Sequence, residues 1–131
     1  MKLLPRPDHS ENSFIKSPDS FFGDLGNLHD SQIIEIRWKP THRQALVVVD
    51  DMYANFVGLP EQMGIQPAQI IATNVSKIEM AVENDEFPLR VMDMEAITQP
   101  DLSVDIVIKL DPSGSIRINC TAVACIAVSA S

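Results

Sequence analysis

From Leu102 to Cys120 the chain keeps a strict two-residue period. Leu102, Val104, Ile106, Ile108 and Leu110 alternate with Ser103, Asp105 and Lys109. Asp111-Pro112-Ser113-Gly114 interrupts the pattern, and Ile116, Ile118 and Cys120 resume it. A period of two puts every apolar side chain of a strand on one face, which must then be covered. Proline suits the second position of a tight turn and glycine the last, so the interruption reads as a reversal between antiparallel neighbours. A chain that contains such a unit builds a sheet with one buried face.

The rest of the sequence follows the same pattern. Ile34, Ile36 and Trp38 alternate with Glu35, Arg37 and Lys39, which predicts a half-buried strand with the three apolar residues inward. After a turn at residues 40–43, Ala45-Leu46-Val47-Val48-Val49 is apolar on both faces and β-branched, as a central strand would be. Gly58, Pro60, Gly64 and Pro67 mark a long loop over 58–68. A third strand region begins near Gln69, and in its second part Ile78, Met80 and Val82 alternate with Lys77, Glu79 and Glu83. Residues 83–86 form a charged turn before a strand over 89–97. The last strand starts at Ile116 and continues into the apolar run Thr121–Val128. Ser17 is placed to cap a short helix, with Pro18 in its first turn, Phe21, Phe22 and Leu25 on its apolar face, and Gly26 ending it.

The expected fold is mainly β (β-rich α+β). It is a single antiparallel sheet, curled or sandwich-like, of about six strands with one short N-terminal helix. Residues 1–16, polar and without a period, are expected to be a mobile N-terminal arm ahead of one β-rich domain over 17–131.

Ten basic residues against 18 acidic ones give a net charge of −8. This argues against nucleic acid or an anionic membrane as partner, because both reward clustered Lys and Arg. It fits either plain solubility or a basic protein partner. Cys120 and Cys125 lie in one apolar run, and on a single strand their odd spacing would put them on opposite faces, unable to pair. Free buried thiols suit a reducing compartment. The chain start lacks a secretory signal and no run approaches the ~20 apolar residues of a membrane span, so the expected location is cytoplasmic.

Chemistry-bearing side chains converge at one place only. His29-Asp30 precedes the strand with Ile34, and Asp50-Asp51 ends the next one. If Trp38 pairs with Ala45 in an antiparallel hairpin, Gln32 falls opposite Asp51 and Asp30 opposite Tyr53, gathering these groups at one sheet end. A one-residue slip would change the pairs but keep the cluster. Three readings of it compete. Asp30 and His29 would satisfy local backbone groups, the commonest role of such residues. Alternatively His29, Asp30, Asp50 and Asp51 would hold a divalent metal, or His29 tuned by a carboxylate would serve as acid and base. There is no zinc or calcium-loop spacing, no nucleophile elbow and no phosphate loop. No catalytic residue is assigned, and no cofactor beyond the alternative of a divalent metal.

Just past the central strand, Asp50, Asp51, Tyr53, Phe56 and Leu59 mix acids with aromatic and apolar groups. Such a set suits a protein partner with basic and apolar anchors.

The segment from Phe22 to Trp38, with Leu28-His29-Asp30-Ser31 ahead of the first strand, resembles a loose group of small bacterial proteins carrying a Leu-His-Asp-small motif. Some of these are similar to immunity proteins of polymorphic toxin systems, and the resemblance spans roughly residues 21–60. It implies a compact, non-enzymatic protein that neutralises or sequesters a partner by binding it, with no catalytic residues to carry over. The alternatives are a divalent-metal protein or metal-dependent enzyme on His29, Asp30, Asp50 and Asp51, and a structural homo-oligomer or homodimer joined through an edge strand at Cys120–Val128.

Overall fold

The computed structural model describes residues 15, 17–24, 26–52, 67–82 and 88–127. One short helix, α1 (Pro18–Asp24), and a tight turn at Gly26–Leu28 lead into the first hairpin, β1 (Gln32–Lys39) and β2 (Gln44–Val49). Then follow β3 (Ala68–Thr73), β4 (Lys77–Ala81), β5 (Leu89–Thr98), β6 (Val104–Asp111), β7 (Ser115–Cys120) and β8 (Ala122–Ala127). All eight strands belong to one antiparallel sheet ordered β4-β7-β6-β5-β1-β2-β3-β8. The expected single antiparallel sheet and short helix are present, but with eight strands among the described residues rather than about six.

Two corners account for the difference. The third strand region divides at Asn74-Val75-Ser76 into β3 and β4, and the last run divides at Thr121 into β7 and β8. Thr73 pairs with Ala122 on one side of the corner and Lys77 with Asn119 on the other. Three residues therefore stand against two, an arrangement that bends a ribbon and raises its twist. The bend is held by main-chain bonds from Thr121 to Thr73 (3.0 Å) and from Ser76 to Asn119 (2.9 Å), and by the Asn74 amide donating to the Thr121 hydroxyl (3.2 Å). The sheet is not closed, yet its two ends are halves of one bent ribbon, so it wraps a single core. Val47, Ile70, Val91, Met94, Ile106, Ile116, Ile118 and Val123 are all buried in that one cluster.

The corner also corrects the cysteine geometry. Because the chain turns at Thr121, Cys120 and Cys125 lie on different strands and both point into the core, free and buried, rather than to opposite faces. Burial pushes the Cys120 thiol up to about 11 and the Cys125 thiol up to about 12.

A bulge reshapes β1. Ile33 pairs with Val49 but Glu35 with Val48, leaving Ile34 as the extra residue. Ile33 takes the core position, while Ile34 and Trp38, expected inward, are 49% and 45% exposed. β8 is an edge strand, and its Val123 carbonyl accepts the backbone N–H of Ile15 (2.8 Å). Ile15 packs on the core, and the rest of the expected arm, residues 1–14 and 16, lies outside the described residues. The loop expected over 58–68 lies outside the described residues up to 66. α1 packs on β5, where Asp19 accepts from the Thr98 backbone N–H (3.1 Å) and hydroxyl (2.6 Å), and Phe22 is buried. Gly26, at φ 68, ends the helix as expected. Among the described residues no helix is long and apolar enough to cross a membrane.

Candidate functional site

The chain enters β1 through an unusual backbone. Gly26, Asn27, Leu28 and Asp30 have φ of 68, 55, 54 and 76°, all left-handed. Asn and Asp tolerate this region, but a leucine does not adopt it cheaply, and Leu28 keeps it with its side chain buried in the core. The turn lifts His29 and Asp30 to the outer surface. Ser31 behind them is buried, its hydroxyl donated to the Asp51 carbonyl.

Here β1 and β5 meet over a short overlap, Gln32 with Arg90 and Ile33 with Leu89, extended by the Val91 N–H bond to the Ser31 carbonyl (2.8 Å). Arg90 is also paired with Asp111 of β6, and Gln32 with Asp50 beyond β2. A row of outward residues thus crosses three strands and the residue just past β2: Asp111, Arg90, Gln32, Asp50. Arg90 places Nη2 and Nε on one oxygen of Asp30, at 2.7 and 3.2 Å, and approaches Asp111 at 3.8 Å. The Arg90 guanidinium holds the Asp30 carboxyl below its usual range, opposed by slight desolvation and helped by the charge of His29. The Asp30 carboxylate in turn raises Arg90.

His29 Nδ1–H donates to the Met92 carbonyl at 2.6 Å, and its Nε2 lies 3.6 Å from Asp30. Asp50 replaces a ladder carbonyl: its Oδ1 accepts the Gln32 N–H at 2.8 Å while its own N–H bonds the Gln32 carbonyl at 2.9 Å. Flanking the row are two bulged residues, Ile34 of β1 and Met92 of β5, 49% and 43% exposed. Both bulges turn an apolar side chain outward beside the charged row.

The expected pairing of Trp38 with Ala45 is present, but the bulge at Ile34 moves Gln32 from Asp51 to Asp50. His29, Asp30, Asp50 and Asp51 do sit at one sheet end. Among the described residues no group of three or more His, Cys, Asp or Glu is placed to hold an ion. Tyr53, Phe56 and Leu59 lie outside the described residues.

Three groups were missed by reading the sequence. Arg90 and Asp111 join the cluster only through strand order, which no local pattern announces. Asp105, read as an outward polar residue of an alternating strand, is only 8% exposed. It accepts from Asn119 (2.7 Å), Gln99 (2.9 Å) and Arg117 (3.2 Å), and these donors, Asn119 foremost, hold its carboxyl low. It floors a polar groove of about 290 Å³ with Ser76, Lys77, Glu79, Arg117 and Asn119.

No family model matches the chain, and no curated protein matches it. A crystal structure of an uncharacterized protein from Neisseria gonorrhoeae is similar, with a TM-score of 0.52 at 14% identity, covering 74% of this chain and 90% of that one. At that identity the likeness concerns the fold alone.

Proposed function

We propose that this chain is a non-enzymatic protein-binding module, immunity-like in the sense that it sequesters a basic partner by contact. The observation that supports this most is the outer patch at the β1–β5 overlap. Asp30, Asp50 and Asp111 present carboxylates there beside the outward Ile34 and Met92, on a backbone fixed by sheet bonds. Outward apolar side chains beside carboxylates suit a protein interface, the apolar groups supplying affinity and the charges selecting the partner. The titratable groups are engaged in holding the patch together: His29 Nδ1 on Met92, Asp30 on Arg90, Asp50 on Gln32. The left-handed Leu28 and Asp30 add strain of the kind that persists at binding sites.

The test is capture with immobilised full-length protein in a lysate of cells that express it. Wild type is compared with Asp111→Lys and Ile34→Glu, both on the outer surface. A basic protein should be retained in stoichiometric amount and released by salt, with retention reduced roughly tenfold, ~1.4 kcal/mol, in each variant. Equal retention by wild type and both variants, or an acidic protein as the retained species, rejects this reading.

A further inference from the structure

The β1–β2 hairpin projects past the start of β5. Among the described residues β1 pairs with β5 only at Gln32 and Ile33, whereas its ladder with β2 continues to Lys39. In an antiparallel ladder, residues alternate between exchanging bonds with their partner and pointing their N–H and C=O the other way. Gln32 and Asp50 face each other with bonds, so Ile33 faces away, and beyond the bulge the pairs Ile36–Val47 and Trp38–Ala45 inherit the outward phase. The N–H and C=O groups of Ile36 and Trp38 therefore point to the side of β1 opposite β2. Among the described residues nothing is bonded to them there.

The sheet's two outer edges are handled differently. β8 receives Ile15 at Val123, and β4 is only five residues long and carries Lys77 and Glu79. Short, charged edges resist pairing. The side of β1 turned away from β2 has the opposite character, because Trp38 stands on it 45% exposed.

Its charge is also distinctive. In a chain of net charge −8, the hairpin collects Arg37, Lys39 and Arg43, with His42 between the last two. Glu35 is its one acid, and Arg37 already neutralises it at 2.7 and 3.0 Å. Lys39 and Arg43 make no ion pair among the described residues.

We propose that the edge of β1 over Glu35–Lys39, unpaired among the described residues, is a strand-addition site for an extended acidic segment of a partner protein. Main-chain bonds to Ile36 and Trp38 supply the pairing, an apolar side chain of the segment covers Trp38, and its carboxylates meet Lys39 and Arg43. This surface lies at the opposite end of β1 from Asp30 and Asp111, takes the opposite charge, and stands or falls independently of the basic-partner patch.

The experiment uses full-length ¹⁵N-labelled protein and two blocked synthetic hexapeptides, one alternating Glu with Val and one alternating Lys with Val. Trp38 is the single tryptophan, so its fluorescence reports the site without added label. The Glu-Val peptide should give a saturable Trp38 change and slow the exchange of the Ile36 and Trp38 amides by about tenfold or more. The double variant Lys39→Glu, Arg43→Glu should weaken its binding by about tenfold or more, while Asp111→Lys leaves it unchanged. The proposal is overturned by unprotected Ile36 and Trp38 amides at saturating peptide, or by equal binding of the Lys-Val peptide. A Trp38 change that depends on protein concentration with no peptide present also overturns it, since the edge would then be taken by a second copy.

Discussion

Arg90 stands across the ladder from Gln32 and fixes Asp30 through two nitrogens on one oxygen, at 2.7 and 3.2 Å. The pair ties the strained turn before β1 to β5, a strand that follows it by some sixty residues. Both side chains are roughly half exposed, so the pair contributes orientation more than stability.

Arg90→Met should let the Asp30 carboxyl return towards its ordinary value of 3.8, because the guanidinium bond is the first cause of its depression. The sign follows from linkage. A carboxyl lowered in the folded state stabilises that state above its unfolded value, and the contribution is lost as pH falls through the folded value. Asp19, Asp101 and Asp105 are lowered as well, by Thr98, Ser103 and Asn119 respectively. Stability should therefore be level near neutrality and decline on acidification below about pH 4. An NMR titration of the Asp30 carboxyl, with acid unfolding followed by circular dichroism, checks both; an unshifted midpoint in the variant refutes the assignment to Arg90.

Asp105→Ala should destabilise by about 1–3 kcal/mol. It removes the acceptor of three donors, those of Gln99, Arg117 and Asn119, at a position that is nearly buried. Urea unfolding measures the change. A difference of a few tenths of a kcal/mol would mean that water replaces the carboxylate without penalty.

Neither thiol should react with a disulfide reagent at pH 8 while the protein is folded. Thiolate is the reactive form, and burial pushes Cys120 to about 11 and Cys125 to about 12. Two equivalents should appear at once in denaturant. Fast stoichiometric labelling of the native protein would show that the β7–β8 corner opens.

Gly114→Ala should destabilise by ~1–3 kcal/mol. Gly114 has φ of 114°, and a Cβ there would stand 3.0 Å from the Ala81 carbonyl oxygen, which is backbone and cannot swing aside. A thermal melt is sufficient. An unchanged midpoint would mean that the β6–β7 turn relaxes away from β4.

The hairpins were legible in the sequence because their signals are local. Residues 104–120 announce themselves by alternation and a Pro-Gly turn, and the supposed pairing of Trp38 with Ala45 across the first hairpin is present. What the period of two cannot show is a break in its own phase. Ile34 fits the pattern of Ile36 and Trp38, yet the bulge turns it outward and moves Asp50 opposite Gln32. The corners at 74–76 and Thr121 were hidden for a related reason: a strand that bends keeps its apolar composition while changing neighbours. At the candidate site, His29, Asp30, Asp50 and Asp51 could be gathered from one hairpin. Arg90 and Asp111 could not, because the adjacency of β1 and β5 is a property of strand order.

The bent ribbon sets the order in which this molecule assembles. The β1–β2 and β6–β7 hairpins join near neighbours in sequence and close early, since little chain entropy is lost in bringing their ends together. β3 must wait for β8, and β4 for β7, both far downstream, and the two pairings share the corner at Asn74 and Thr121. Half a ribbon would leave the core open on one side. By contact order completion of the wrap is expected late, and a chain lacking Ala122–Ala127 should leave β3 unpaired on one side, with its apolar interior open to aggregation.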